Sequence, residues 1–108
     1  MRELYRIYHD RGLVVIGVHT PEFARERDID RVREAVARLE IPYPVAIDNG
    51  YATWKAFDNR YWPSLYLIGV RGSIVAHHVG ELHAGTPAWD ALTSRIDAEL
   101  GAAERPRR

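Results

Sequence analysis

The run Leu13–Val18 is the feature of this sequence that most limits the folds open to it. It reads Leu-Val-Val-Ile-Gly-Val, which is apolar throughout and rich in β-branched residues, with little alternation of apolar and polar positions. Such a run is typical of a strand in a parallel sheet that is covered on both faces, because a strand with one wet face alternates. We therefore expect this segment to be a strand near the middle of a sheet.

Helices and further strands surround this run in a regular order. Leu4, Ile7 and Tyr8 have helical spacing and precede a stop at Gly12, so they predict an opening helix. A second apolar stripe predicts a helix over Asp30–Glu40, capped by Asp28 or Asp30. The other predicted elements are a strand at Val45–Ile47, a helix at Ala52–Phe57, a hairpin of Ser64–Ile68 with Ile74–Val79, and a helix from Thr86-Pro87 to Gly101.

This order of elements, α-β-α-β-α-β-β-α, predicts the α/β class. We expect one domain over residues 1–101, with a central mixed sheet, helices on both faces and a C-terminal β-hairpin plus helix. Residues 102–108 are predicted to be a disordered tail.

The composition excludes several classes of function for this chain. Fifteen basic and fifteen acidic residues give no net charge, so the basic footprint of a nucleic-acid partner is missing. No apolar run approaches the about 20 residues of a membrane span, and because the N-terminus is charged and has no apolar stretch we expect no signal peptide there. The chain has no cysteine, which excludes disulfides, zinc-thiolate sites, iron–sulfur clusters and a cysteine nucleophile.

The histidines do not form a metal-binding pattern. His77 and His78 are adjacent on a predicted strand and therefore point to opposite faces, and no His-x-His or helical i,i+4 pair occurs. A glycine-rich phosphate loop and a Ser–His–Asp context are also missing. We predict no metal and no other cofactor.

Three segments of the chain match one known family. They are residues 12–23 (GLVVIGVHTPEF), 43–49 (YPVAIDN) and 61–68 (YWPSLYLI). They resemble the thioredoxin-like redoxin family of the TlpA and DipZ type, whose thiol-disulfide oxidoreductase domains often follow a membrane domain in cytochrome c biogenesis proteins. The resemblance covers residues 1–82 and implies a thioredoxin-like fold. It also implies a place outside the cytoplasmic membrane, which conflicts with the missing export signal, so the compartment stays open.

The resemblance implies a polypeptide-binding groove beside Pro63. At that position the family has a cis-proline facing the redox site, although a trans-proline that simply precedes a strand is the ordinary alternative. A cis bond implies that the amide and carbonyl of Trp62 pair with an extended peptide, with Tyr61 and Trp62 flanking the groove. For these two aromatic residues, packing in the core is the alternative. For Trp54 and Phe57 we expect core positions.

Glu22 resembles a glutamate that related thiol reductases keep near their cysteines as a proton acceptor. Such a group helps to form the reactive thiolate, and this chain has no thiol to ionise. Glu22 is therefore either a relic proton acceptor or a structural residue that caps a turn or pairs with Arg25.

The family has a strand and a cysteine-bearing helix start before the segment that matches Arg2–Tyr8. The resemblance places that strand between those at residues 13–19 and 64–69. Because buried N–H and C=O groups need partners, we expect either that these two strands pair directly or that another chain pairs with them in a dimer. A further protein or peptide partner also stays open.

Three hypotheses of function follow. The first is a truncated redoxin-family protein without thiol redox activity. The second is a non-catalytic module that binds peptides or proteins beside Pro63. The third is a fragment of a longer, active oxidoreductase whose true start lies upstream of Met1.

Overall fold

Short helices and strands alternate along residues 1–104, the part of the chain that the computed structural model describes. The helices are α1 (Arg2–Tyr8), α2 (Ile29–Arg38), α3 (Ala52–Ala56) and α4 (Pro87–Ala103), and the strands are β1 (Gly17–His19), β2 (Val45–Ile47), β3 (Ser64–Ile68) and β4 (Ile74–Val79). Single 3₁₀ turns lie at His9–Arg11 and Ala24–Arg27. The predicted α/β order is confirmed.

The described chain forms two compact units. The first unit contains Met1–Asp10 and Val14–Arg60, and the second contains Arg11–Leu13 and the chain from Tyr61 onward. The parallel strands β1 and β2 belong to the first unit, and the hairpin β3–β4 with α4 belongs to the second.

The prediction of one central mixed sheet is wrong, because the strands form two separate sheets. Gly17 of β1 lies opposite Val45 of β2 in a parallel pair, and Ser64 of β3 lies opposite Val79 of β4 in an antiparallel pair. Within residues 1–104, β1 pairs only with β2 and β3 only with β4. Direct pairing of the strands near residues 13 and 64 is therefore also wrong. The resemblance places a further strand between them, and none of the described residues forms it.

The run Leu13–Val18 is covered far less than its sequence predicts. Only its last two residues belong to β1, and Val15 is 6% exposed whereas Val14 is 76% and Ile16 57% exposed. The prediction of burial on both faces is therefore wrong. A strand is covered on both faces only inside a wider sheet, and here β2 is the single neighbour of β1 among the described residues.

The first unit confirms one predicted helix cap. The Asp28 carboxylate accepts a hydrogen bond from the Asp30 N–H at 3.0 Å, so α2 begins at Ile29. Of the two residues considered as caps, Asp28 is the correct one. Leu4 and Tyr8 are buried on α1, one turn apart, as their helical spacing predicts.

In the second unit α4 begins as predicted and ends later than predicted. Thr86 caps it by accepting a hydrogen bond from the Trp89 N–H at 3.2 Å, and Leu92, Ile96 and Leu100 are buried along one stripe. The helix continues to Ala103, so the predicted boundary after Gly101 falls inside it. The next two residues are alanines, which favour helix strongly enough to extend it. Residues 105–108 of the predicted tail lie outside the described residues.

Candidate functional site

The loop Tyr61–Pro63 is attached to the start of the hairpin in the second unit. The Ser64 hydroxyl donates to the Tyr61 carbonyl at 2.7 Å, and the Gly80 N–H donates to the Pro63 carbonyl at 2.9 Å. Gly80 has a φ of +93°, a backbone conformation that glycine adopts without strain. The peptide bond between Trp62 and Pro63 is cis. These contacts hold the loop in a fixed position relative to β3 and β4.

The side chains of this loop lie at the surface. Tyr61 is 60% and Trp62 44% exposed, and Pro63 is exposed as well. The structure therefore places the three residues of the predicted groove together, with both aromatic side chains outside the core. Trp54 and Phe57, which we expected in the core, are only half-buried.

One face of the hairpin adds apolar surface to the second unit. The cross-strand pairs place Tyr66 beside His77, and their rings stack with centroids 4.1 Å apart. Ile68, Ile74 and Val79 are exposed on the strands around this pair. The sequence analysis did not select these residues, although their spacing along two predicted strands was a usable signal.

Asp48, in the first unit, has a structural role. Its buried carboxylate accepts hydrogen bonds from the Thr20 hydroxyl at 2.7 Å and from the N–H groups of Thr53 and Trp54, each at 2.9 Å. Burial by itself raises the pKa of Asp48, but the hydrogen bonds from Thr53, Thr20 and Trp54 outweigh it, so the pKa lies below its ordinary 3.8. The Asp48 carboxylate thus caps α3 and joins this helix to the end of β1.

Glu22 is exposed and follows the fully buried Pro21. Its N–H donates to the Glu26 carboxylate at 2.9 Å, and the Pro21 carbonyl accepts from the Tyr51 hydroxyl at 2.6 Å. Among residues 1–104 no ion pair joins Glu22 to Arg25, so that structural alternative is not formed. Arg25 lies instead over the ring of Phe23, 5.6 Å from its centroid.

Part of this chain is similar in sequence to known proteins. No protein-family model matches the chain. Protein DipZ of Mycobacterium tuberculosis is 51% identical over 77 residues, which are 71% of this chain and 11% of DipZ. The thiol-disulfide oxidoreductase YkuV of Bacillus subtilis is 28% identical over 97 residues, which are 90% of this chain and 62% of YkuV.

A solved structure decides the fold. The solution structure of a Neisseria meningitidis protein described as a thioredoxin superposes on 94% of this chain with a TM-score of 0.77 and 26% identity. This chain is thioredoxin-like. It is related to thiol-disulfide oxidoreductases, and it spans 62% of the Neisseria protein and a smaller share of DipZ.

The thioredoxin-like chain contains no cysteine. Within residues 1–104 no cluster of three or more histidine or carboxylate side chains is arranged to hold a metal ion. His19 and His78 contact the backbone carbonyls of Glu26 and Glu81 at 2.9 and 3.1 Å. In the same residues no helix has the length and apolar character that crossing a membrane requires.

Proposed function

We propose that this chain is a redoxin-related protein that performs no thiol-disulfide exchange of its own and binds extended polypeptide at the Tyr61–Pro63 loop. The observation that carries this proposal is the pair of exposed aromatic side chains, Tyr61 and Trp62, held at the start of β3 by hydrogen bonds on both sides of Pro63. We also propose that the chain takes part in cytochrome c biogenesis, as members of the redoxin family do.

The lack of exchange follows from the chemistry of the reaction. Thiol-disulfide exchange requires a thiolate that attacks a disulfide sulfur, and none of the 108 residues is cysteine. We therefore propose that Glu22 is a relic proton acceptor. Its carboxylate is exposed and has no thiol within this chain on which to act.

The loop and the hairpin offer complementary contacts to a polypeptide. Tyr and Trp side chains give large contact areas at a low entropic cost, and the edge of β3 offers backbone groups to a strand laid beside it. The exposed aliphatic residues Ile68, Ile74 and Val79 favour a partner segment with apolar, β-prone residues at alternate positions.

Replacing Trp62 with alanine should weaken polypeptide binding about tenfold, because the loop then loses its largest exposed contact. A peptide array of cysteine-free segments identifies a binder, and fluorescence polarisation of that labelled peptide gives the dissociation constant. Phe23→Ala is the matched control, since Phe23 is another exposed aromatic residue, in the first unit. Unchanged affinity in Trp62→Ala, or an equal loss in both variants, would show that the loop is not the binding site.

We further propose that the chain associates with itself. What supports this is that each described sheet has only two strands, so each has outer edges with backbone groups directed away from its partner strand. Light scattering should then give the mass of two chains at raised protein concentration. The mass of a single chain at every concentration would contradict the proposal.

A further inference from the structure

We infer that the two copies of such a dimer join through the outer edge of β1, with Val14–Val18 of one copy pairing antiparallel to Val14–Val18 of the other. This inference rests on the proposed self-association and assigns it a segment and a register. It is carried by two independent features of the same segment, the exposure of its side chains and the direction of its backbone groups.

The side chains of this segment alternate between exposed and buried positions. Val14, Ile16 and Val18 are exposed, whereas Val15 between the first two is buried. Only Gly17 and Val18 of this segment belong to β1, but the exposure alternates along all of it with the period of two of an extended chain, so the three exposed aliphatic side chains project on one face. In the single chain these three side chains are in contact with solvent, and exposure to water is unfavourable for aliphatic surface.

The backbone of the segment leaves one edge open. The Gly17 N–H donates to the Pro44 carbonyl at 2.9 Å, and the His19 carbonyl accepts from the Asp48 N–H at 2.9 Å. Residues 17 and 19 thus direct their backbone groups towards β2. Since backbone groups alternate between the two edges of a strand, those of Val18 and Ile16 are directed away from β2, where no described strand pairs with them.

A second copy of the same segment fits this edge. In an antiparallel pairing centred on Ile16, Val14 faces Val18 of the other copy and Ile16 faces itself, so all the exposed aliphatic side chains meet on one face. No charged residue lies between Gly12 and Val18, and the chain carries no net charge, so nothing in the pairing places like charges together. A two-fold pairing of this kind is self-complementary and closes at a dimer.

Ile16→Lys tests the assigned edge. It sets two ammonium groups opposite each other at the centre of the pairing, so the dissociation constant of the dimer should rise at least about tenfold in light scattering or sedimentation. Val70→Lys is the matched control, because Val70 is an exposed aliphatic residue in the hairpin turn. Equal dimerisation of wild type, Ile16→Lys and Val70→Lys would show that the outer edge of β1 is not the interface, while the proposed self-association would stand. A wild-type chain that is monomeric throughout would overturn both.

Ile16→Cys provides a readout that does not depend on weakening the dimer. The chain has no native cysteine, so the new thiol is the only one. In the proposed register the two residues 16 form a hydrogen-bonded pair with Cα atoms about 5.5 Å apart, which suits a disulfide. Mild oxidation should therefore give a covalent dimer of Ile16→Cys and far less of the control Val70→Cys. Equal cross-linking of both variants, or none of Ile16→Cys, would overturn the register.

Discussion

Asp48→Ala should lower the free energy of unfolding by about 3 kcal/mol. The Asp48 carboxylate is buried and accepts hydrogen bonds from the Thr20 hydroxyl and from the N–H groups of Thr53 and Trp54. The substitution removes this acceptor from all three donors. It also removes the cap of α3. Urea unfolding followed by far-UV circular dichroism measures the loss.

Asp10→Ala is the control for this prediction. The Asp10 carboxylate is fully exposed and its contact with His9, at 3.9 Å, lies at the surface, so its removal should change stability by less than about 0.5 kcal/mol. A loss at Asp48 no larger than at Asp10 would contradict the structural role of the buried carboxylate.

The pH dependence of the stability of wild type and Asp48→Ala gives a second readout of the same carboxylate. Because the folded chain lowers the pKa of Asp48, the stabilisation is present in full above the ordinary pKa of 3.8 and is lost as the pH falls through the lower, folded pKa. The stability difference between wild type and Asp48→Ala should therefore be largest near neutral pH and shrink in acid. A stability difference that grows as the pH falls would contradict the lowered pKa of Asp48.

Ile96→Ala should lower the free energy of unfolding by roughly 2–5 kcal/mol, the range for truncating a buried aliphatic side chain. Ile96 is 2% exposed and lies between Leu92 and Leu100 on the buried stripe of α4, so the shorter side chain leaves a cavity. The exposed Ser94→Ala on the same helix is the control and should change little. A loss below about 1 kcal/mol at Ile96 would show that α4 is not packed as described.

Local signals were sufficient where an element depends on its own residues. The bounds of β2, β3 and β4 match the prediction, because short apolar runs there are limited by prolines and by the turn residues Asp48-Asn49-Gly50 and Arg71-Gly72. The start of α4 matches as well, since Thr86 and Pro87 are a cap and a first helical residue.

Local signals failed where an element depends on its neighbours. The run Leu13–Val18 has the composition of a buried central strand, yet burial requires strands on both edges and layers on both faces, and the described chain supplies one neighbour.

The candidate site was found by resemblance rather than by residue chemistry. Tyr61, Trp62 and Pro63 carry no catalytic group, and an aromatic pair beside a proline fits a core position as well as a groove. Their exposure became known only from the structure. Glu22 was selected in the same way and is exposed, whereas the buried carboxylate of Asp48 holds α3 in place.

The central claim is that this thioredoxin-like chain carries out no thiol-disulfide exchange, and the reduction of insulin disulfides by dithiothreitol tests it most directly. We predict that the rate with the purified chain equals the rate without it, because no residue of the chain can form the mixed disulfide. A rate that rises in proportion to the concentration of the chain would contradict this account.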